Sequence, residues 1–355
     1  MDSEKACVIN PHYSALSDSA KRDLLANIGR KTGLNEIAVE KDIWITAILR
    51  CVFSLDYADS IQFKGGTSLS KCWNVIERLS EDIDLAICKD YLGFPGELSK
   101  SQVSNRLRRA SRDFILGPFL NDIKHSIAEA GIPLDTLEIS TSENGIPTQD
   151  PVQVFIRYHS LYEEDDYLQP QVMLEISGRS NDVALSRKRI NSLLDATIPN
   201  KDLVLQDFEV TAVQPKRTFI EKVCLLHEEF NKSHGEIRSR RMSRHIYDLY
   251  MMCRQGIDTE ALNDEELFKQ IIGHRFIYNR IDGVDYNTET PGHFAIIPQG
   301  ENLKLWEQDY RNTIAKMIYG EEKPDFGAII ARIGKLNKDL NSMTWNQVPV
   351  FAPGK

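Results

Sequence analysis

The stretch Ile61–Ile87, IQFKGGTSLSKCWNVIERLSEDIDLAI, decides the fold. Ile61-Gln62-Phe63 is a short apolar–polar–apolar run and reads as a strand. Gly65-Gly66 ends it, because glycine permits both a sharp turn and close approach of another group to the backbone. Thr67 is placed to cap a helix. The buried face of that helix is predicted from Leu69, Trp73, Ile76 and Leu79, which recur at spacings of three and four. The chain then turns at Ser80-Glu81 and enters a second strand, Asp82–Ile87. Side chains alternate faces along a strand. Ile83, Leu85 and Ile87 therefore point into a core, and Asp82 and Asp84 share the other face.

Two neighbouring carboxylates repel each other, and a fold gains nothing from them alone. A hard divalent cation relieves the repulsion, and carboxylate oxygens suit Mg²⁺. The turn at Gly65-Gly66, with the hydroxyls of Thr67 and Ser68 and a helix N-terminus, reads as a phosphate cradle. An anion site and a cation site thus lie one helix apart in sequence. The bland alternative is a solvated helix–strand unit with surface aspartates, since D-x-D alone is common. The combination G-G-T-S, helix, D-I-D is much rarer.

That combination resembles the nucleotidyltransferase superfamily of the DNA polymerase beta type. The fuller strings F-K-G-G-T-S-L-S-K and R-L-S-E-D-I-D-L-A resemble the AbiEii/AbiGii toxin family within it, over roughly residues 35–255. The resemblance implies a bacterial toxin–antitoxin or phage-defence toxin with a cognate antitoxin. It implies an Mg²⁺-dependent (or Mn²⁺-dependent) enzyme that transfers a nucleoside monophosphate from an NTP and releases pyrophosphate. The implied acceptor is RNA, at the 3′ end of tRNA, so that translation stops. A protein hydroxyl is the alternative acceptor. A non-catalytic, protein-binding member of the fold is a different class, against which the retained acidic residues and glycine turn argue.

The chain has 355 residues, 41% hydrophobic and 27% charged, an ordinary globular composition long enough for several cores. No apolar run approaches membrane-spanning length and the N-terminus lacks a signal-peptide core, so a cytoplasmic protein without a membrane partner is expected. The six cysteines, at 7, 51, 72, 88, 224 and 253, form no CxxC or zinc spacing and read as reduced thiols. The net charge of −9 excludes a general nucleic-acid coat and leaves only local basic patches for that task.

Outward from the central stretch, residues 15–53 read as helical, with Asn35 capping a helix striped by Ile37, Trp44, Ile45, Ile48, Leu49 and Val52. Glu40, Lys41 and Asp42 on it read as a charged outer face, with an approach to the nucleotide as the alternative. Residues 101–130 read as helical with a break at Gly117-Pro118. Arg106, Arg108, Arg109 and Arg112 there form a solvated face or a phosphate-contacting one. Strands are predicted at 134–140, 152–158 and 171–177, with Glu163–Asp166 as an acidic hairpin loop. In the last strand Glu175 is a lone acid on the face opposite Val172, Leu174 and Ile176, which is costly unless exposed or paired. The superfamily resemblance implies that Glu175 is the third metal-binding carboxylate beside Asp82 and Asp84. Residues 178–201 read as polar and irregular.

Thr218-Phe219-Ile220-Glu221 reads as a capping box opening a helix, which puts Lys222 in its first turn, against the helix dipole. A bound triphosphate would compensate. F-I-E-K-V-C-L-L-H resembles the family's third motif, which implies that Lys222, with Lys71 in support, neutralises charge on the leaving group. Arg244 and Asp248 lie four apart on a later helix and are spaced to pair. R-H-I-Y-D-L-Y resembles the fourth motif, with His245 where many relatives carry aspartate. The implied catalytic set is Asp82, Asp84, Glu175, Lys222 and Asp248. The implied nucleotide-binding set is Gly65, Gly66, Thr67, Ser68, Lys71 and Arg244. Helices are predicted at 263–281, 301–319 and 325–340, and a weakly ordered tail after Trp345. The expected fold is α+β: a small mixed nucleotidyltransferase sheet with flanking helices, plus a helical C-terminal half. The expected divisions are an N-terminal helical segment (1–58), a nucleotidyltransferase core (59–200) and a helical C-terminal domain (201–355).

Overall fold

The protein is described by a computed structural model covering residues 8–142, 144–163, 168–180, 183–233, 235–319 and 323–351. Cys7 and the acidic residues Glu164–Asp166 lie outside the described residues. The fold is α+β, and the chain divides into two compact units. One comprises residues 1–74 and 79–212, the other 75–78 and 213–355.

The first unit is built on a seven-stranded mixed sheet: β1 (Ile61–Lys64), β2 (Asp82–Ile87), β3 (Leu137–Thr141), β4 (Val152–Tyr158), β5 (Gln171–Ser177), β6 (Leu185–Ile190) and β7 (Phe208–Val213). Their spatial order is β3-β4-β5-β2-β1-β7-β6. β2 runs antiparallel to β1 and parallel to β5. Alternation sorts the faces as the sequence implies. Ile61, Phe63, Ile83, Leu85, Val154, Ile156, Leu174 and Ile176 are fully buried on one face. They share a core with Ile45, Ile48 and Val52 of the Glu36–Phe53 helix and with Ile115, Phe119 and Ile123. Each such side chain contributes roughly 1.5–3 kcal/mol on leaving water. Asn35 caps the Glu36–Phe53 helix by accepting the Ala38 N–H.

Several local expectations are corrected. The helix after the glycines is Gly65–Lys71, flanked by Lys64 at its N-cap, so Thr67 lies inside its first turn and caps nothing. It stops short of Trp73, Ile76 and Leu79. Asn74 takes a left-handed φ of 51° that a continuing helix excludes, and Val75–Arg78 belong to the second unit. Ile76 and Leu79 are buried and Trp73 partly so, but none of the three is on a helix. Gly117-Pro118 causes no break. The turn at Ile115–Phe119 widens to π-helical bonding, which tolerates a proline, and the chain continues as the Leu120–Glu129 helix. Residues 178–201 hold the edge strand β6 and the short Leu193–Thr197 helix rather than irregular chain.

The second unit is helical: Pro215–Phe230, Ser243–Arg254, Glu265–Tyr278 and Phe326–Ser342 are its longest helices. The tail is tied down at Phe351, which exchanges hydrogen bonds with Asn287 through both backbone groups. No helix among the described residues is long and apolar enough to cross a membrane.

Candidate active site

On the open face of the sheet, Asp84 is the direct cross-strand partner of Glu175, and Asp82 sits two residues back opposite Met173. On the flanking strands Lys64 pairs with Asp84 and Gln153 with Glu175. The Gln153 amide donates to Glu175 at 3.4 Å. Strand pairing therefore brings the three predicted carboxylates to one face, on adjacent strands about 4.8 Å apart. As they stand they are not assembled as ligands: among the described residues no group of three or more His, Cys, Asp or Glu is arranged to hold a metal.

The glycine turn lies against this face. Gly65 has φ +76°, and a Cβ there would meet Asp84 Oδ2 at 1.9 Å. The Thr67 hydroxyl donates to the Asp82 carbonyl, locking the Gly65–Lys71 helix onto β2. Thr67 and Ser68 are both buried.

Around the site lies a buried ionic frame that sequence reasoning misread. Glu40, Lys41 and Asp42 are not an outer face; all three are buried. Lys41 pairs with Glu81, next to Asp82, at 2.7 Å. Asp42 pairs with Lys71 at 2.6 Å and also accepts the Leu193 N–H. Glu40 accepts from the Ser160 hydroxyl and the Leu161 N–H. Lys41 and Asp42 anchor the helix to the two sides of the link between the Gly65–Lys71 helix and β2. Their partners lie 29 to 40 residues away, or farther, so no local pattern announces them.

In the second unit the helix carrying Lys222 begins at Pro215, not Thr218. Lys222 is thus well past the first turn, and the predicted dipole clash does not exist. Its ammonium pairs with Asp248 at 2.9 Å. Arg78 grips the same carboxylate through two bonds, Nε to Oδ1 at 2.7 Å and Nη2 to Oδ2 at 2.9 Å. Asp248 is fully buried. Burial alone would raise its pKa, but Arg78 first and Lys222 second more than offset this and hold it below the usual carboxylate range. Lys222 also donates to His245 Nδ1 at 3.4 Å. Burial, and then the charge of Lys222, push the His245 pKa well down, so it stays a neutral acceptor. Arg78 sits in the R-L-S-E-D string, where nothing in the local sequence marks a buried partner 170 residues away. Arg244 lies on the same helix as Asp248, one turn earlier.

Comparison with known proteins gives the class and then the family. A family model described as nucleotidyl transferase AbiEii toxin, type IV toxin–antitoxin system, matches residues 47–332. The protein is a nucleotidyltransferase, and the chain belongs to the AbiEii toxin family. MenT4, a nucleotidyltransferase toxin from Mycobacterium tuberculosis H37Rv, shares the fold, with a TM-score of 0.52 at 15% identity over 93% of this chain and 91% of that one. JHP933 from Helicobacter pylori aligns over 79% of this chain and 96% of its own at 14% identity, with a TM-score of 0.33, too low to support an argument. No curated protein matches the sequence. Membership of the family implies an NTP substrate, a divalent metal and a cognate antitoxin.

Proposed function

We propose that this toxin transfers a nucleoside monophosphate from an NTP to the 3′ end of tRNA, with Mg²⁺, and so blocks translation in the bacterial cytoplasm as a phage-defence measure. The observation that carries the reading is the register of Asp84 against Glu175, with Gly65 directly beside the Asp84 carboxylate. The donor set fits a hard cation. All three candidates, Asp82, Asp84 and Glu175, offer oxygen only, and gathering them takes side-chain rotation on a fixed sheet. When bound, Mg²⁺ (or Mn²⁺) would supply charge neutralisation at the phosphates and a lowered pKa at the acceptor hydroxyl.

The protein's own groups divide the remaining work. The backbone from Gly65 to Ser68 faces the phosphates, and glycine at 65 lets them come close. Glu175 serves the acceptor side. Lys222 meets the negative charge that builds on pyrophosphate as the acceptor oxygen bonds to the α-phosphorus and the bond to the leaving group breaks. Asp248 holds the Lys222 ammonium in place and is itself fixed by Arg78. Lys71, spent on Asp42, acts as a brace for the turn.

The test is to incubate the protein with each labelled NTP, Mg²⁺ and either total tRNA or cell lysate. Label on tRNA supports the reading. Label on a protein band moves the acceptor to a protein hydroxyl. No label with any NTP in either mixture overturns it.

A further inference from the structure

Three segments of the first unit converge just past the end of β5. Gly178 is wedged between the Arg108–Phe114 helix and the loop after β2: a Cβ there would lie 2.9 Å from Ser111 Cβ and 3.0 Å from Leu92 Cδ1. Asp150 ties the junction together. It accepts from the Ser111 hydroxyl and the Gly178 N–H, and pairs with Arg179 Nε at 2.9 Å. Burial, then the charge of Arg108, pull the Arg179 pKa down against the opposing pull of Asp150 and Glu175. Two arginines thus feel each other's charge within reach of Glu175, the carboxylate assigned to the acceptor. Arg109, next on the helix, is exposed.

The same helix ends in Phe114, which packs edge-on against Tyr57 and Tyr91 at 5.4 and 5.5 Å between ring centres. Tyr91 also stacks on Tyr57 at 5.3 Å. Its loop is closed by Lys89, whose ammonium donates to the Gly96 carbonyl at 2.8 Å. Tyr91 is therefore held by two rings and a fastened loop, yet remains 45% exposed.

We propose that this junction is the docking surface for the RNA acceptor strand, with Arg108 and Arg109 taking its phosphates and Tyr91 stacking on one of its bases. The inference rests on the reading that the acceptor is RNA. Neighbouring like charges gain from an anion placed between them, and the guanidinium fork matches phosphate geometry. A fixed, solvent-facing ring packed against the helix that carries such cations is an arrangement by which single-stranded nucleic acid is held, stacking for the bases and charge for the backbone. With a net charge of −9, the chain needs a local concentration of cations of this kind to attract RNA at all.

The experiment uses the full-length protein and 5′-fluorescein-labelled total tRNA. It measures Kd across a salt series without NTP, and KM for tRNA and for NTP in transfer. Arg108→Gln and Arg109→Gln are each expected to weaken binding roughly threefold or more and to lower the salt slope by about one. Tyr91→Ala is expected to weaken binding about tenfold, and Tyr91→Trp to retain it. KM for NTP should not move in any of them. If all variants bind and extend tRNA like the parent, this surface is not the docking site, although the RNA reading stands. If the parent itself labels protein and never RNA, both fall together.

Discussion

Gly65 and Asp84 occupy space that excludes any side chain at position 65: a Cβ would lie 1.9 Å from the aspartate's Oδ2. The glycine in the turn and the second carboxylate of the strand are therefore one steric unit, although 19 positions separate them in sequence. Gly65→Ala must displace Asp84 and also strain a φ of +76°. Transfer should fall by about a hundredfold, the scale for moving a reacting group by about an ångström. The melting temperature should fall as well. Steady-state transfer together with a thermal melt checks both, and an active, equally stable alanine variant would contradict the geometry.

Asp84→Asn should abolish transfer while leaving the melting temperature unchanged or raised in metal-free buffer. Asp84 faces Glu175 across the strand pair with Asp82 on the same face, so loss of one charge relieves repulsion. Destabilisation by more than a few degrees without metal would make Asp84 structural.

Glu175→Gln should lower transfer strongly yet cost less NTP affinity than Asp82→Asn. The substitution keeps the shape next to the Gln153 amide, so folding should be preserved. Equal loss of NTP affinity in the two variants, measured by titration, would contradict the division of labour between acceptor and triphosphate.

Asp248→Ala should be more damaging to stability than Lys222→Ala. The first leaves Arg78 and Lys222 as buried cations without their shared partner, at a cost of about 3–5 kcal/mol. The second leaves Arg78 in place on both carboxylate oxygens. Lys222→Ala should fold and lose on the order of a hundredfold in rate, and Lys222→Arg should rescue poorly because a planar fork replaces a compact charge. Denaturant melts and transfer rates on the three variants decide the matter. Near wild-type transfer in Lys222→Ala at saturating NTP would remove the lysine from the reaction.

The protein should lose stability in mild acid through His227. The ring is fully buried, bonds to the Thr288 hydroxyl, and accepts the Ala295 N–H. Burial, with a smaller push from His293, lowers its pKa to about 4. The unfolded chain takes up a proton near pH 6.5, whereas the folded one resists until about pH 4. Stability is therefore full above about pH 6.5 and declines as pH falls toward 4, by about 3 kcal/mol at most. His227→Gln should flatten this part of the pH–stability curve, and an unchanged slope would assign the acid sensitivity elsewhere.

The strands that carry the candidate site were more legible in the sequence than their surroundings, for a physical reason. The turn, β2, β4 and β5 are governed by glycine and by alternation, both local signals, and the spans 152–158 and 171–177 coincide with β4 and β5. Strand β6, Leu185–Ile190, is an edge strand rich in arginine and lysine, and that composition, which protects an edge from aggregation, also hides it. The stripe Leu69, Trp73, Ile76 and Leu79 has helical spacing because three of the four are buried and Trp73 is half-buried, but the chain turns between them. Glu40–Asp42 looked solvated because charge normally means surface, and only distant partners make the burial possible.

The inclusion of Val75–Arg78 in the second unit has a consequence for the gene as well as for the protein. Arg78 bridges to Ile318, and the Glu77 carbonyl accepts the Tyr319 N–H. A fragment starting at residue 213 would lack that segment and its Arg78, the residue that grips both oxygens of Asp248. A fragment ending at 212 would carry Arg78 but not Asp248. Neither half is a cassette that recombination can move by cutting the reading frame once, so inheritance of the helical unit requires inheritance of the loop that leads into Asp82.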